Sequence, residues 1–306
     1  MEFDALVRRR AFDFLDELRA VHGDVLPFKV LERGFEIEGR RVPLLSQQGI
    51  FKPAVLTEVP LSIRSAPPDA RRARPYDDRV DDSGLLVYRY RGTGAGAESH
   101  RDNRGLRLAF DRSTPLVYFE GIAEGRYLPL YPVFIVGDDP RAMAFHVAVD
   151  DVRELATSRE LPVADVAARR RYITTQCKRR AHQEQFRERV VHAYRCQCAI
   201  CRLKHTELLD AAHIVPDRDE RGVPEVYNGL ALCKLHHAAF DQNLLGIRPD
   251  CVVEIHPRLL EEDDGPMLMH GLKGFHLGAI QVPRSRGDKP KIELLAARYE
   301  SFRRTA

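Results

Sequence analysis

The sequence contains two pairs of potential metal ligands, and in each pair two residues separate the members. The first pair is Cys198 and Cys201, and the second pair, Cys233 and His236, begins 32 positions after Cys201. Two such pairs present four ligands to one tetrahedral Zn2+ ion from two turns of the chain. We therefore predict a structural zinc site, in which Cys196 is close enough in sequence to compete as a ligand.

Composition excludes several broad classes of protein. Hydrophobic residues reach 44%, and the charges nearly balance, with 48 Lys and Arg against 45 Asp and Glu. A wholly disordered chain is excluded, because disorder needs low hydrophobicity and high net charge. No apolar run approaches the roughly 18 residues of a membrane span, and the acidic start Met1–Asp4 lacks an apolar signal core. We expect a cytoplasmic protein with no membrane partner.

The pattern of apolar residues changes along the chain. Positions 2–22 carry apolar residues on one helical face, which predicts an amphipathic helix ended by Gly23. Between about 25 and 148, short β-prone runs alternate with Pro, Gly and Asp, which predicts a curled sheet or barrel. Examples of these runs are Leu85–Tyr90, Leu106–Phe110, Pro115–Phe119 and Val133–Val136. The polar stretch 65–83 predicts a long loop, and Lys291–Arg303 predicts a final helix.

A basic, helical stretch follows the β-rich region. Its cations include Arg169, Arg170, Arg171, Lys178, Arg179 and Arg180. Such a run is either a solvated linker helix or a helix that lies along a phosphate backbone, and charge alone favours neither. We expect an α+β chain with three parts: a β-rich domain over 1–150, a basic helical linker over 151–194, and a domain over 195–306 that holds the zinc site.

Two short motifs follow the first ligand pair, and a third begins at the last ligand. They are Ala211–Pro216 ("AAHIVP"), Tyr227–Cys233 ("YNGLALC") and His236–Asp241 ("HHAAFD"). In order and spacing, His213, Asn228 and His237 resemble the His-Asn-His pattern of the HNH endonuclease family, of the zinc-bound ββα-metal type. The resemblance covers about 195–260. It implies a nuclease that hydrolyses phosphodiester bonds in DNA with the help of Mg2+ or Mn2+.

The resemblance also implies a role for each motif residue. His213, expected on the second strand of a ββ hairpin, is the general base, since an imidazole with an ordinary pKa near 6.5 can accept a proton from water. His237, at the start of the following helix, is a ligand of the catalytic ion. Asn228 holds the loop or orients the base. The zinc ion is structural, because four protein ligands leave no open position.

This chain lacks one residue that many HNH enzymes use as a ligand of the catalytic ion. Those enzymes carry an acidic or other ligand directly before the base, where this chain has Ala212. Asp210 or Asp241 could supply that ligand instead, and the sequence does not choose between them.

The N-terminal region carries a second set of motifs. Tyr76–Asp78 is followed by Leu85–Gly92, Asn103–Leu108 and Pro115–Phe119. This order resembles the SRA (YDG) family, a curled barrel of the PUA-like group, and the domain would span about 25–148. The resemblance implies that a modified cytosine is flipped into a pocket, where aromatic rings sandwich it and an acceptor binds its amino group.

In such a pocket, Tyr76 and Tyr90 would be the aromatic faces and Asp78 the acceptor, with Asp77 as the alternative. Residues two apart on a strand share a face, so Tyr88 lies on the same side as Tyr90. It lines either the pocket or the core. The segment Gln47–Pro53 is a candidate second loop for contacting DNA.

Together the two resemblances predict a bacterial modification-dependent restriction endonuclease. It would bind double-stranded DNA that carries 5-methylcytosine or 5-hydroxymethylcytosine, and cutting both strands with a single HNH site predicts two copies of the chain, such as a homodimer. Two alternatives stay open: a nuclease selective for another mark, such as phosphorothioate, or for an unmodified sequence, and a non-catalytic, zinc-stabilised DNA-binding module.

Overall fold

The computed structural model describes residues 2–67, 81, 84–92, 96–150, 166–216, 219, 221–263 and 265–305. These residues form a mixed α+β protein that divides into an N-terminal unit, Met1–Ala181, and a C-terminal unit, His182–Ala306. Tyr76, Asp77 and Asp78, most of the expected loop 65–83 and the first part of the expected linker lie outside the described residues.

The N-terminal unit begins with helix α1, Glu2–His22, as the apolar periodicity predicts. Gly23 ends this helix with a left-handed φ of 78°, and its amide donates to the carbonyl of Arg19 at 3.0 Å. The remaining elements of the unit follow in chain order: β1 Leu26–Pro27, α2 Phe28–Arg33, β2 Phe35–Ile37, β3 Arg40–Val42, β4 Ile50–Phe51, β5 Ser62–Arg64, β6 Leu86–Arg89, α3 Arg101–Asp111, β7 Leu116–Ala123, β8 Arg126–Asp139 and β9 Ala144–Val149.

A curled, half-barrel sheet organises this unit. Its strand order is β4-β5-β7-β8-β9-β6, and β1 pairs with the long strand β8. The β5–β7 pair is parallel, and its neighbours in the sheet are antiparallel. The pairing of β8 with β7 and with β9 contains shifts in register. Such irregularities bend and twist a strand. The predicted curled sheet is therefore present, although the structure does not establish an SRA domain.

One predicted strand is wrong. Leu106–Phe110 lies in helix α3, where the buried residues Asn103, Leu106 and Ala109 repeat every three positions. The alternation of Leu106, Arg107 and Leu108 suits a strand locally, but the buried positions follow a helical period. Gly105 faces Pro60, and a Cβ there would lie 3.0 Å from the Pro60 ring, so the absent side chain allows this close approach.

Helix α4, Val166–Ala193, is the described part of the expected linker, and it contributes to the core of each unit. Ile173, Cys177 and Ala181 are buried in the core of the N-terminal unit, and Phe186 and Val190 are buried in that of the C-terminal unit. The division into units falls within this helix, after Ala181. In its described part, therefore, the segment is packed rather than fully solvated.

The C-terminal unit continues with β10 Leu209–His213, β11 Gly229–Cys233, α5 Lys234–Asp241, β12 Leu245–Ile247, β13 Val253–Ile255, α6 Pro257–Glu261, α7 Pro266–Gly271 and α8 Ile292–Thr305. Strands β10 and β11 form an antiparallel pair that leads directly into α5. Helix α8 agrees with the predicted final helix and buries Leu295 and Phe302. No helix in the described part of the chain has the length and apolar character needed to cross a bilayer.

A substitution at Gly121 tests the packing of the half-barrel. A Cβ at Gly121, on β7, would lie 2.6 Å from the backbone nitrogen of Pro67. Since backbone cannot move aside as a side chain can, we expect Gly121→Ala to lower the free energy of unfolding by about 1–3 kcal/mol, measured by urea denaturation. Gly96→Ala is the matched control, because no atom lies within 4 Å of its Cβ. Equal stability of the two variants would contradict this packing.

Candidate nuclease site

The four predicted zinc ligands come together in the C-terminal unit. The ligand atoms of Cys198, Cys201, Cys233 and His236 all lie within 4.8 Å of one another. His236 Nδ1 is 3.1 Å from Cys233 Sγ and 3.5 Å from Cys198 Sγ, and the Sγ atoms of Cys201 and Cys233 are 3.9 Å apart. Cys196 is not part of this cluster. The cluster could therefore hold one metal ion.

The tautomer of His236 suits a metal ligand. Its Nε2 lies 2.9 Å from the carbonyl oxygen of Gly271, which can only accept a hydrogen bond. Nε2 must therefore carry the proton, and the lone pair of Nδ1 is left facing the three thiols. A tetrahedral ion with Zn–S bonds near 2.3 Å separates its sulfur ligands by about 3.8 Å. The 3.9 Å between the Sγ atoms of Cys201 and Cys233 is close to this value, so the donor set fits a zinc ion.

His213 ends strand β10, opposite Gly229 in the register of the β10–β11 pair. The prediction that it lies on the second strand of the hairpin is wrong, because β10 is the first strand of this pair. The imidazole stacks on the ring of Phe186, with 4.0 Å between centroids and 15° between planes. A Cβ at Gly229 would lie 2.9 Å from this phenyl ring, so the glycine makes room for the residue that orients His213.

Asn228 holds the loop between the two strands. The residue is fully buried, and its Oδ1 accepts a hydrogen bond from the Val215 amide at 2.9 Å. Its Nδ2 donates to the carbonyl oxygens of Val215 and Val223 at 2.9 and 3.0 Å. These three bonds engage both ends of the amide with main chain, and they fix the backbone two residues after His213. The geometry agrees with the loop-holding role rather than with direct orientation of the base.

His237 lies in the first turn of α5 between two carboxylates. Its Nδ1 is 3.3 Å from Asp210 Oδ2, and its Nε2 is 3.3 Å from Asp241 Oδ2. The hydrogen bond between His237 and Asp210, supported by Lys234, lowers the pKa of Asp210 to about 2, although burial opposes this shift. Asp210 in turn raises the pKa of His237.

The donor atoms around His237 fit a divalent cation. In octahedral coordination at about 2.1 Å, adjacent ligand atoms are about 3.0 Å apart, close to both imidazole–carboxylate distances. The two acids differ in their surroundings. Both oxygens of Asp210 are 2.6 Å from Lys234 Nζ, whereas the Asp241 side chain is 56% exposed. An ion that binds through Asp210 therefore has to compete with an ammonium group.

Sequence reasoning missed three residues that support this site: Phe186, Arg187 and Lys234. The Arg187 guanidinium donates to the carbonyl oxygens of Thr206 and Leu209, and its Nε is 3.9 Å from Asp210 Oδ1. No motif connects Arg187 or Phe186 with the site, because they lie more than 20 residues before β10 on a different element. Lys234 directly follows a metal ligand, and that position was the available signal.

A cavity of about 630 Å3 lies beside Asp241. Ile214 and Val215, which directly follow His213, form one wall, and Arg298 of α8 forms another. The Arg298 guanidinium donates to Asn243 Oδ1 and to the carbonyl of Phe240, and it lies 4.5 Å from the Phe240 ring centroid. Burial lowers its pKa. The C-terminal helix therefore supports the end of α5 that carries Asp241.

Of the residues predicted to form the base pocket, the structure describes Tyr90. Its ring is 2% exposed and lies 4.7 Å from the Phe145 ring and 5.2 Å from the Arg107 guanidinium. Its hydroxyl donates to Asp138 Oδ1 and accepts from Arg107 at 3.0 Å. Stacking of a base on Tyr90 would require this buried cluster to open. Tyr88 is also buried, with its hydroxyl bonded to the carbonyl of Gly49 at 2.9 Å.

The predicted backbone-binding cations lie on α4. The structure describes the helix at Arg169, Arg170 and Arg171 but not their side chains. Arg179 is exposed, and Arg180 lies 3.9 Å from Asp24. The Lys178 ammonium is 3.1 Å from Glu120 Oε2, and Glu120 is 2% exposed. This contact with a buried carboxylate gives Lys178 a structural partner inside the N-terminal unit.

Comparison with known proteins identifies the class of the C-terminal site. Residues 198–248 match the family model described as HNH endonuclease, a range that includes the four metal-ligand candidates and His213, Asn228 and His237. The chain therefore contains an HNH endonuclease domain, which supports a DNA endonuclease. A search of curated proteins gave no match.

Two solved structures are similar to this chain at low sequence identity and low TM-score. The modification-dependent TagI restriction endonuclease is 17% identical, with 80% of this chain and 82% of that chain covered and a TM-score of 0.31. The type IV phosphorothioation-dependent restriction endonuclease ScoMcrA is 16% identical, with a TM-score of 0.24, and the match covers 63% of this chain and half of that one. Both TM-scores are too low to establish a shared overall fold.

The cysteine cluster predicts a selective loss of metal. We expect the purified protein to contain one tightly bound metal ion per chain by elemental mass spectrometry, and Cys198→Ser to lose it, because four ligands are needed to close the site. Cys196→Ser is the matched control and should keep the ion, since Cys196 lies outside the cluster. Metal retained in Cys198→Ser and lost in Cys196→Ser would reverse the assignment.

Proposed function

We propose that the protein is a modification-dependent restriction endonuclease that cleaves double-stranded DNA carrying 5-methylcytosine or 5-hydroxymethylcytosine. The observation that carries the catalytic half is the position of His237 between two carboxylates, directly after the last of four clustered potential metal ligands. The selective half rests on the SRA-like motifs between Tyr76 and Phe119.

In the proposed reaction, His213 accepts a proton from the water that attacks the scissile phosphate. The stacking contact with Phe186 restricts rotation of the imidazole, so the ring is oriented before substrate binds. His237, with Asp210 or Asp241, would hold Mg2+ or Mn2+, for which carboxylate ligands are suited. When bound, such an ion neutralises charge on the phosphate and on the leaving oxygen.

The Cys198, Cys201, Cys233 and His236 cluster would hold zinc in a structural role. All four positions of a tetrahedral ion are then filled by protein, so no water can be activated there. Asn228 keeps the backbone after His213 in place through its three main-chain hydrogen bonds. The proposal thus separates one ion that maintains the fold from one that takes part in hydrolysis.

Selectivity is assigned to the N-terminal unit. Tyr76 would stack on the flipped cytosine and Asp78 would accept a hydrogen bond from its amino group, with Asp77 as the alternative acceptor. Tyr90 was expected to be the second face. Because its ring is buried between Phe145 and Arg107, it would have to move to stack on a base, or it would support the pocket wall from behind.

Affinity for any DNA is assigned to the basic helix α4. Arg169, Arg170, Arg171, Arg179 and Arg180 would contact backbone phosphates and release counterions without reading sequence. Lys178, also predicted from the sequence, would contribute less because it lies against Glu120. Since one HNH site cuts one strand, a double-strand break would need two copies of the chain.

The burial of Tyr90 favours a second candidate function. If this ring stays in the core, the pocket lacks one of its two expected faces, and the N-terminal unit would select a different DNA mark or an unmodified sequence. The nuclease chemistry of the C-terminal unit would be unchanged.

Three versions of one DNA separate these candidates. With Mn2+ or Mg2+ present, we expect the protein to cut DNA containing 5-methylcytosine or 5-hydroxymethylcytosine at least tenfold faster than the same DNA with plain cytosine. Tyr76→Ala and Asp78→Asn should reduce this preference, because they remove a stacking face and an acceptor. Cleavage products are measured on denaturing gels.

Asp77→Asn is the matched control for Asp78→Asn, because each variant removes one of two adjacent carboxylates. Loss of preference in the Asp77 variant alone would assign the acceptor to Asp77. If the protein without substitutions cuts all three DNAs at the same rate, the proposed selectivity is eliminated and a nuclease of another specificity remains.

A further inference from the structure

A groove of about 510 Å3 lies in the N-terminal unit between α1 and the turn that joins α3 to β7. We call it the α1 groove. Its polar lining consists mainly of cations and hydroxyl groups, from Arg8, Arg9, Thr57, Arg112, Ser113 and Thr114. Pro115 is the one residue of the sequence motifs in its lining, and none of the proposed catalytic, metal-binding or base-reading residues lies there, so the proposed nuclease and base-reading functions leave the groove unexplained.

Arg8 forms the floor of the α1 groove and is 4% exposed. Its guanidinium donates to the carbonyl oxygens of Pro60 at 2.8 Å, Val59 at 3.0 Å and Pro115 at 3.0 Å. Carbonyl groups satisfy the donors but carry no net charge, and no described carboxylate forms an ion pair with Arg8. A buried charge without a direct ion-pair partner is costly, so an anion in the groove would stabilise it.

The charge of Arg8 persists at neutral pH. Burial lowers the pKa of its guanidinium to about 10, and nearby Asp4 opposes this shift. Asp4 is the acidic residue of the groove lining, and its Oδ2 accepts hydrogen bonds from the Thr57 amide and hydroxyl at 3.3 and 2.9 Å. Its carboxylate is therefore bonded to Thr57 and not to the guanidinium of Arg8.

The rim adds two further cations. Arg9 is exposed, and Arg112, with a side chain 45% exposed, is 2.6 Å from Glu58 in an equally exposed pair. Exposed pairs of this kind contribute little, so an incoming anion can recruit Arg112 at small cost. Guanidinium groups match the oxygens of a phosphate in a forked geometry, and hydroxyls can donate to the remaining oxygens.

The size and the walls of the groove limit its ligand. Phe12, Val59 and Pro115 supply apolar surface beside the cations. A volume of this order accommodates a small organic molecule rather than a lone ion. We propose that the α1 groove binds a phosphate group together with its attached sugar or base, supplied either by the backbone of bound DNA or by a free nucleotide. The lining of the groove shares no residue with the proposed base pocket or the proposed nuclease site.

The test compares two double variants of the full chain, both in the His213→Ala background so that DNA is not cut. The groove variant is Arg9→Ala with Arg112→Ala, which spares Arg8 because its three tertiary hydrogen bonds hold the fold. The control is Lys29→Ala with Arg33→Ala, which removes two exposed cations of the same unit from outside the groove. The protein with only the His213 substitution is the reference.

Two readouts distinguish the sources of the phosphate. Melting temperature is measured with inorganic phosphate and with deoxycytidine 5′-monophosphate, and the dissociation constant for a duplex DNA is measured at several salt concentrations. If the ligand is a free nucleotide, we expect deoxycytidine 5′-monophosphate to raise the melting temperature of the reference and of the control, but not that of the groove variant. For the DNA backbone, we expect the salt slope of the groove variant to fall by about one or more, with the control unchanged.

Either pattern supports the proposal. It is overturned if no ligand raises the melting temperature of the reference and the groove variant has the same salt slope as the control, or if the control loses as much as the groove variant in both assays. Neither readout requires cleavage, so a protein without nuclease activity would still give a decisive answer. A failure of the groove is therefore distinguishable from a failure of the proposed endonuclease function.

Discussion

The convergence of four potential metal ligands from two turns is the contact on which the geometry of the proposed catalytic residues depends. Cys233 ends β11, and His236 lies in the first turn of α5, directly before His237. The amide of Ala199, between the other two ligands, donates to the carbonyl of Ala231 on β11 at 2.7 Å. A metal ion bound in the cluster would therefore join the strand pair, the helix and the preceding turn, and it would fix the position of His237 at the start of α5.

Helix α4 supplies the second constraint on the same site. Its Phe186 stacks on His213 and packs closely against Gly229, and its Arg187 donates to the carbonyl of Leu209 at the start of β10. The proposed general base and the proposed ligand of the catalytic ion are thus held by different elements. A metal ion in the cluster would position His237 through α5, and the packed end of α4 positions His213 through β10. The contacts that support His213 and His237 lie within the C-terminal unit.

The parts of the fold that follow from sequence are those encoded by local spacing. The four-ligand cluster and α1 follow from short-range patterns, and the structure contains both. Helix α3 does not, because Leu106 to Phe110 alternates like a strand and only tertiary burial reveals its helical face. The ion pairs of Asp210 with Arg187 and Lys234 join residues 23 and 24 positions apart, and no local pattern specifies such pairs. The same holds for Tyr90, whose burial depends on Asp138 from another strand.

The most direct test of this account is a single-turnover cleavage assay with Mn2+, run on the unmodified protein and on His213→Ala and His237→Ala, with the tightly bound metal counted in each sample. The account predicts that all three proteins keep one tightly bound ion and that both variants lose at least a hundredfold in cleavage rate, because the base and the ligand act after the fold is complete. A variant that keeps its ion and cuts at the rate of the unmodified protein would contradict the assignment of this site.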